Sequence, residues 1–278
     1  MLINGYTKRL IQLALDEDIG TGDLTATAFE SFKTQATFSF IAKQDCIICG
    51  TKVAKEVYYT LDPVVNVEFF VEDGERITER KVIGQVTGPA SSILTGERTA
   101  LNFIQRLTGV ATNTARYVEA LSDTNIKILD TRKTTPGWRR LEKYAVKTGG
   151  GWNHRLGLFD GVMLKDNHID AAGSITKAVA NVRRFIPTTV KVEIETRNLE
   201  EVREAVEAGA DIIMLDNFKR ETIQDAIDII DGKAKVEVSG GISLEYLPKL
   251  KGMAIDYISI GALTHQAVGV DISLKMRG

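Results

Sequence analysis

From residue 125 onward the chain repeats one pattern six times: a short apolar run of strand composition, followed by a stretch with helical spacing. The runs are 126–129, 161–164, 190–194, 211–215, 235–238 and 257–260. Strands separated by helices cannot be joined by tight hairpins, so they are expected to pair in parallel. Each run ends at a polar or glycine signal, in turn Arg132, Lys165, Glu195, Asp216, Ser239-Gly240-Gly241 and Ser259-Gly261. An α/β barrel carries its active site at the C-terminal ends of its strands, and unrelated surface decoration would not favour one end of all six. Six units are fewer than the eight of a complete barrel. The reading is an α/β fold built on an incomplete parallel (β/α) barrel of about six strands, with an open doubly wound sheet as the alternative.

The first part of the chain has a different grain. Tyr6, Leu10 and Leu13 have helical spacing, and two glycines in DEDIGTGDLT then break it. Residues 36–42 and 65–71 alternate as antiparallel strands do, with Asp73-Gly74 as a turn and 51–61 as a helix. This predicts a separate N-terminal α+β domain. Residues 91–121 read as long helices with an interruption at Gly109. The expected division is an N-terminal domain over 1–110, onto which 265–278 packs back, and a catalytic barrel domain over 111–264.

Hydrophobic residues make up 44% of the chain, ample for a core of this size. A net charge of −2 argues against a general nucleic-acid binder. No run approaches about 20 apolar residues and the first twenty lack a signal-type apolar core, so a soluble cytoplasmic protein is expected. Cys46 and Cys49 form a C-x-x-C without the further ligands zinc would need, and they read as reduced, packed thiols. GTGD near Gly20 has neither the third glycine of a dinucleotide fingerprint nor the lysine of a phosphate loop.

Charge is concentrated instead of spread. Between Asp130 and Lys165 stand eight basic residues against three acidic ones. Arg139, Arg140, Lys143 and Lys147 recur at helical spacing and read as a solvated face. Arg132, Lys133, Arg155 and Lys165 sit at strand ends or beside glycines, where a ligand can come close, and together they suit an anion with several negative groups. SGGI and SIGA follow the last two strands, where backbone N–H groups of a barrel can hold a phosphate; a purely structural turn is the alternative. Glu195 and Asp216 face the same mouth, either to accept sugar hydroxyls and hold Mg²⁺ or to form ion pairs with Lys165 or Lys191. Glu193 shares a face with Glu195, and spacing does not choose between them. His154 is either a site or a core histidine, and Arg98 on its own reads as a helix-edge arginine.

The strings DTRKTTPG, KTGGGWNHRLGL and LKDNH, in that order, closely resemble quinolinate phosphoribosyltransferases, the decarboxylating enzymes also called nicotinate-nucleotide pyrophosphorylases. ALDEDIGTGDLT, ERTALNFIQRLTGVAT, SGGI and SIGALTH match as well, so the resemblance covers nearly the whole chain. It implies transfer of a phosphoribosyl group from phosphoribosyl pyrophosphate to quinolinate with loss of CO₂. By the same resemblance, Arg98, Arg132, His154 and Arg155 form the dicarboxylate site, Thr131 is a further substrate-binding residue, and Lys133 and Lys165 are a cationic pair near the carboxylate and pyrophosphate. Ser239, Gly240, Gly241 and Gly261 cradle the 5-phosphate, Ser259 is a further substrate-binding residue, and Glu195 is chosen over Glu193 to act with Asp216 on the ribose and, directly or through water, on Mg²⁺. Lys133, Lys165, Glu195 and Asp216 are the implied catalytic set. The resemblance further implies a homodimer or larger homo-oligomer in which Arg98 reaches the neighbouring site. Two alternatives stay open: a phosphosugar lyase using Lys165 as a Schiff-base amine, and a diverged paralogue of the same scaffold with another substrate or none.

Overall fold

The computed structural model describes residues 2–28 and 34–277. In chain order its elements are α1 (Gly5–Ile19), α2 (Leu24–Ala28), β1 (Gln35–Ala42), β2 (Cys46–Ile47), α3 (Thr51–Leu61), β3 (Asn66–Phe69), β4 (Arg76–Ile77), β5 (Lys81–Pro89), α4 (Ala90–Ala120), β6 (Lys127–Leu129), α5 (Arg139–Thr148), β7 (Val162–Leu164), α6 (Asp166–Ala172), α7 (Ile175–Arg183), β8 (Val192–Thr196), α8 (Leu199–Glu207), β9 (Ile212–Asp216), α9 (Arg220–Ile230), β10 (Lys235–Ser239), β11 (Tyr257–Ser259), α10 (Ala262–His265) and β12 (Ile272–Met276). They fall into two compact units, one of Met1–Ala115, Thr135–Gly150 and Gln266–Gly278, the other of Arg116–Thr134 and Gly151–His265.

The first unit carries an antiparallel sheet in the order β12-β1-β5-β3. β1 and β5 pair from Gln35↔Pro89 to Ala42↔Lys81 with one irregularity at Phe40/Ile41, and β12 adds on the other edge of β1. The C-terminal strand thus completes a sheet begun by the N-terminal one. α1 packs against α3, and its buried positions are Thr7, Ile11 and Leu15, while Tyr6 and Leu13 are exposed. The apolar stripe expected through Tyr6, Leu10 and Leu13 is therefore rotated by about one residue. Periodicity locates such a helix but not which of two adjoining stripes is covered.

Gly109 does not interrupt α4, which runs unbroken from Ala90 to Ala120. Its missing side chain has another use: a Cβ there would lie 2.1 Å from the carbonyl oxygen of Val268, so glycine lets the returning C-terminal segment lie directly on the helix. α5 carries the buried Glu142, which accepts from Arg106 Nε and Nη2 at 3.1 and 2.7 Å and from Thr135 N and Oγ1 at 3.0 and 2.8 Å. Arg106 also donates to Ala267 O at 2.6 Å. One carboxylate–guanidinium pair therefore ties together the three separate chain segments of this unit. Cys46 and Cys49 are buried free thiols, and burial pushes the Cys46 thiol up to about 11. Such thiols stay protonated and unreactive.

The second unit is organised on the six parallel strands the sequence predicts, in the order β6-β11-β10-β9-β8-β7. Strands β7 to β11 are neighbours in sequence order, and the first strand, β6, pairs with the last. This is barrel order; a doubly wound sheet would reverse direction in its middle. Beside β6 a single parallel bridge joins Leu129 to Trp152, with Trp152 N donating to Ile128 O at 2.8 Å and Asp130 N to Trp152 O at 3.0 Å. The unit is an incomplete barrel in which the segment after Gly151 supplies a short extra edge next to the first strand.

Candidate active site

Side chains on a strand alternate, so residues two apart share a face. In β8 that pairs Glu193 with Glu195, and in β10 it pairs Glu237 with Ser239. Each pair has one member deep in the barrel and one near the C-terminal end. At that end the segment after β6 brings Thr131, Arg132 and Lys133, the segment after Trp152 brings His154 and Arg155, and β7 leads into Lys165. These line one cavity of about 260 Å³ together with Glu195, Asp216, Ser239, Ser259 and two residues not anticipated, Met163 and Met214.

Lys165 is the N-cap of α6, its N–H donating to His168 Nδ1 at 3.0 Å, which holds the start of its side chain. Its ammonium forms an ion pair with Glu195. Asp216 accepts from Asn217 Nδ2 at 2.6 Å, and Asn217 N donates to Ser239 O at 2.9 Å. Gly240 has φ 93°, and a Cβ on it would lie 2.3 Å from Asn217 Oδ1, so only glycine fits between the ends of β9 and β10. Gly241 and Gly261 follow Ser239 and Ser259 in the turns that close the same end of the sheet. Thr264 Oγ1 donates to Lys133 O at 2.7 Å and fixes the main chain that carries Lys133. Arg98 belongs to α4 in the first unit.

The loop bearing His154 and Arg155 is tied to Asp130, whose carboxylate is fully buried. Asp130 Oδ2 accepts from Asn153 Nδ2 at 2.6 Å and Oδ1 from His154 N at 2.9 Å. Burial, and then the nearby Arg132, lower the pKa of Arg155, while Glu193 and Asp160 oppose the shift. Crowding two guanidiniums in a partly buried mouth is unfavourable until an anion joins them.

Beneath this cavity His154 Nε2 lies 2.8 Å from Glu193 Oε2 and 3.8 Å from Glu237 Oε1, a grouping whose donor atoms could also surround a metal ion. Among the described residues, Glu193 Oε1, both oxygens of Glu237 and Ser259 Oγ are buried without meeting a hydrogen-bond partner. Burial, reinforced by the Glu193 carboxylate, pushes Glu237 up to about 8. His154, Arg155, Glu193 and Glu237 also line a second cavity, of about 470 Å³, toward the N-terminal ends of the strands, with Lys127, Trp152, Lys191 and Tyr257 around it.

Asp130, Glu237 and Asn217 were not anticipated as site residues. The period-two spacing that links Glu237 to Ser239 was available to find the second of them. Asp130 stands at the end of an apolar run, where a carboxylate reads as exposed; only the fold shows that two main-chain and side-chain donors surround it.

Two family descriptions match the chain: the N-terminal domain of quinolinate phosphoribosyl transferase over residues 23–108 and its C-terminal domain over 110–275. A Bacillus subtilis protein described as a probable nicotinate-nucleotide pyrophosphorylase (carboxylating) is 46% identical over 269 residues, 97% of this chain and 93% of that one. The solved structure of the nicotinate-nucleotide pyrophosphorylase from Francisella tularensis is 42% identical with a TM-score of 0.94, covering 99% of this chain and 97% of that one. The corresponding structure from Ehrlichia chaffeensis is 35% identical, also with a TM-score of 0.94 and full coverage of both chains.

The Glu237 carboxyl gives the fold a pH dependence of definite sign. Its ordinary value is 4.5, while in the folded chain it holds its proton to about pH 8. Below 4.5 both states are protonated; between 4.5 and 8 the folded state alone keeps the proton, so stability falls as pH rises through that window. Glu237→Gln should remove this component, and urea unfolding at pH 5 and 7.5 should show a smaller decline for the variant than for the wild type. An equal decline in both would show that Glu237 ionises normally.

Proposed function

We propose, from the premise that the chain belongs to the quinolinate phosphoribosyltransferase family, that it transfers the phosphoribosyl group of phosphoribosyl pyrophosphate to quinolinate and releases nicotinate mononucleotide, pyrophosphate and CO₂, a step of pyridine nucleotide and NAD biosynthesis. The observation that carries this reading is the meeting of Arg132, Lys133, Arg155 and Lys165 in one cavity with Glu195 and Asp216. Forked guanidiniums suit a planar ring with adjacent carboxylates. The carboxylates of Glu195 and Asp216 suit ribose hydroxyls, and the Ser239-Gly240-Gly241 and Ser259-Gly261 turns suit the 5-phosphate.

In this reading the ring nitrogen attacks C1 of the ribose as the C–O bond to pyrophosphate breaks and the electron pair leaves with pyrophosphate. The bond to the 2-carboxylate then breaks, its electrons remaining on C2 beside the cationic nitrogen until a solvent proton replaces CO₂. No side chain becomes covalently attached. The protein's part is to hold two anions in line and to stabilise the cationic ribosyl centre. Lys133 and Lys165 balance the carboxylate and the departing pyrophosphate. Glu195 and Asp216 offer the oxygen donors a hard cation prefers, so they are the residues that would hold Mg²⁺, directly or through water. When bound, Mg²⁺ neutralises charge on the pyrophosphate. The Lys165–Glu195 ion pair weighs against the Schiff-base alternative, because an ammonium held by a carboxylate has no lone pair for attack.

The active species in this reading is a cytoplasmic homodimer or a larger homo-oligomer, with Arg98 completing the dicarboxylate site of the neighbouring subunit. No helix among the described residues is long and apolar enough to cross a membrane.

Incubation with quinolinate, phosphoribosyl pyrophosphate and Mg²⁺ should yield nicotinate mononucleotide and CO₂ in equal amounts; folded protein giving neither product defeats the reading. Lys165→Ala should lower kcat/KM by at least about a hundredfold, the scale of one lost transition-state donor, with the melting temperature nearly unchanged. A large drop in melting temperature would assign Lys165 a structural part instead. Arg98→Ala and Lys165→Ala subunits, each inactive alone, should regain roughly a quarter of wild-type activity when exchanged at equal amounts, since half the dimers are mixed and each mixed dimer has one intact site. Mixed dimers that form and stay inactive would keep Arg98 out of the neighbouring site.

A further inference from the structure

Both ring nitrogens of His154 are already engaged by the protein. Nδ1 accepts the main-chain N–H of Arg155 at 2.7 Å, and Nε2 faces Glu193 Oε2 at 2.8 Å. A nitrogen that accepts an N–H carries no proton of its own, so the imidazole is neutral and its one proton sits on Nε2, pointing at Glu193. The imidazolium form would set Nδ1–H against the Arg155 N–H. A metal ion on Nε2 would send the ring proton to Nδ1, against the Arg155 N–H, so the metal-like grouping of His154, Glu193 and Glu237 is better satisfied by a hydrogen bond than by a cation. The same loop is fixed at its other side by Asp130, and the Arg155 guanidinium is steadied by Nη1 donating to Gly161 O at 3.2 Å.

We infer that Glu193 is a positioning residue for the transfer reaction: it locks the ring of His154, and His154 in turn holds the main chain of Arg155 so that its guanidinium stands in the mouth. The histidine then serves the aromatic acid without donating a hydrogen bond from either nitrogen. Glu195, one alternation further along β8, faces the substrates, while Glu193 acts behind them through the ring. The inference rests on the reading that Arg132 and Arg155 receive the dicarboxylate.

The decisive experiment is ¹⁵N NMR of the histidine rings in the wild-type protein, with His154 assigned by the resonances lost in His154→Asn. The expected spectrum shows His154 at neutral pH with Nδ1 unprotonated and Nε2 protonated, in the same state after quinolinate is added. A protonated Nδ1, or an Nε2–H that quinolinate draws away from Glu193, overturns the inference without any measurement of activity. Kinetics supply the second arm. Glu193→Ala should raise KM for quinolinate about tenfold or more, the scale of losing a buried hydrogen-bond partner, and leave KM for phosphoribosyl pyrophosphate within about twofold. Glu193→Gln should restore most of the loss, because its amide oxygen still accepts the Nε2–H. A wild-type KM in Glu193→Ala, or equal loss for both substrates, contradicts a positioning role. Absence of quinolinate turnover by the wild type would instead fail the underlying reading and leave the ring state standing.

Discussion

The structure of the barrel mouth depends on bringing like charges together before any ligand arrives. Arg132 and Arg155 come from two segments on the β6 side of the sheet, one after β6 and one after the Trp152 bridge beside it, and the lowered pKa of Arg155 follows from its burial and its cationic neighbour. Such an arrangement is held only because the backbone beneath it is fixed by groups that do not touch a ligand. Asp130 anchors Asn153 and His154, the parallel bridge at Trp152 anchors the loop to β6, and the Glu193–His154 contact closes the layer from below. An electrostatic site built this way is preorganised: its reorganisation cost is met during folding and not during reaction.

The alternation of β8 and β10 divides the labour among the acidic residues. Glu195 lies at the mouth, where an ion pair with Lys165 and solvent keep its charge tolerable, whereas Glu237, one alternation deeper on its own strand, is forced toward its neutral form. Depth and the nearby Glu193 carboxylate thus separate Glu237 from the carboxylates at the mouth.

Much of this was legible in the sequence because strand period and strand ends are local properties. Six apolar runs with polar ends predict the parallel sheet, and Arg132, Lys165, Glu195, Asp216, Ser239 and Ser259 do meet at one end of it. What the sequence did not disclose depends on contacts between distant segments. Gly109 reads locally as a helix breaker, and only the approach of Val268 O explains it. The stripe of α1 that is buried is decided by what covers it. Glu142 looks like one acid on a charged helix until Arg106 and Thr135 surround it. The tautomer of His154 follows from a main-chain N–H and a carboxylate that no motif encodes.

If the cationic mouth is built for an aromatic acid with two carboxylates, binding of that acid alone should depend on both of its carboxylates. Calorimetric titration without phosphoribosyl pyrophosphate should show quinolinate binding, should lose that binding in Arg132→Ala, and should find nicotinate weaker by at least about a hundredfold, because a single carboxylate leaves a desolvated guanidinium unpaired. Equal affinity for the two acids, or full quinolinate affinity in Arg132→Ala, would contradict it.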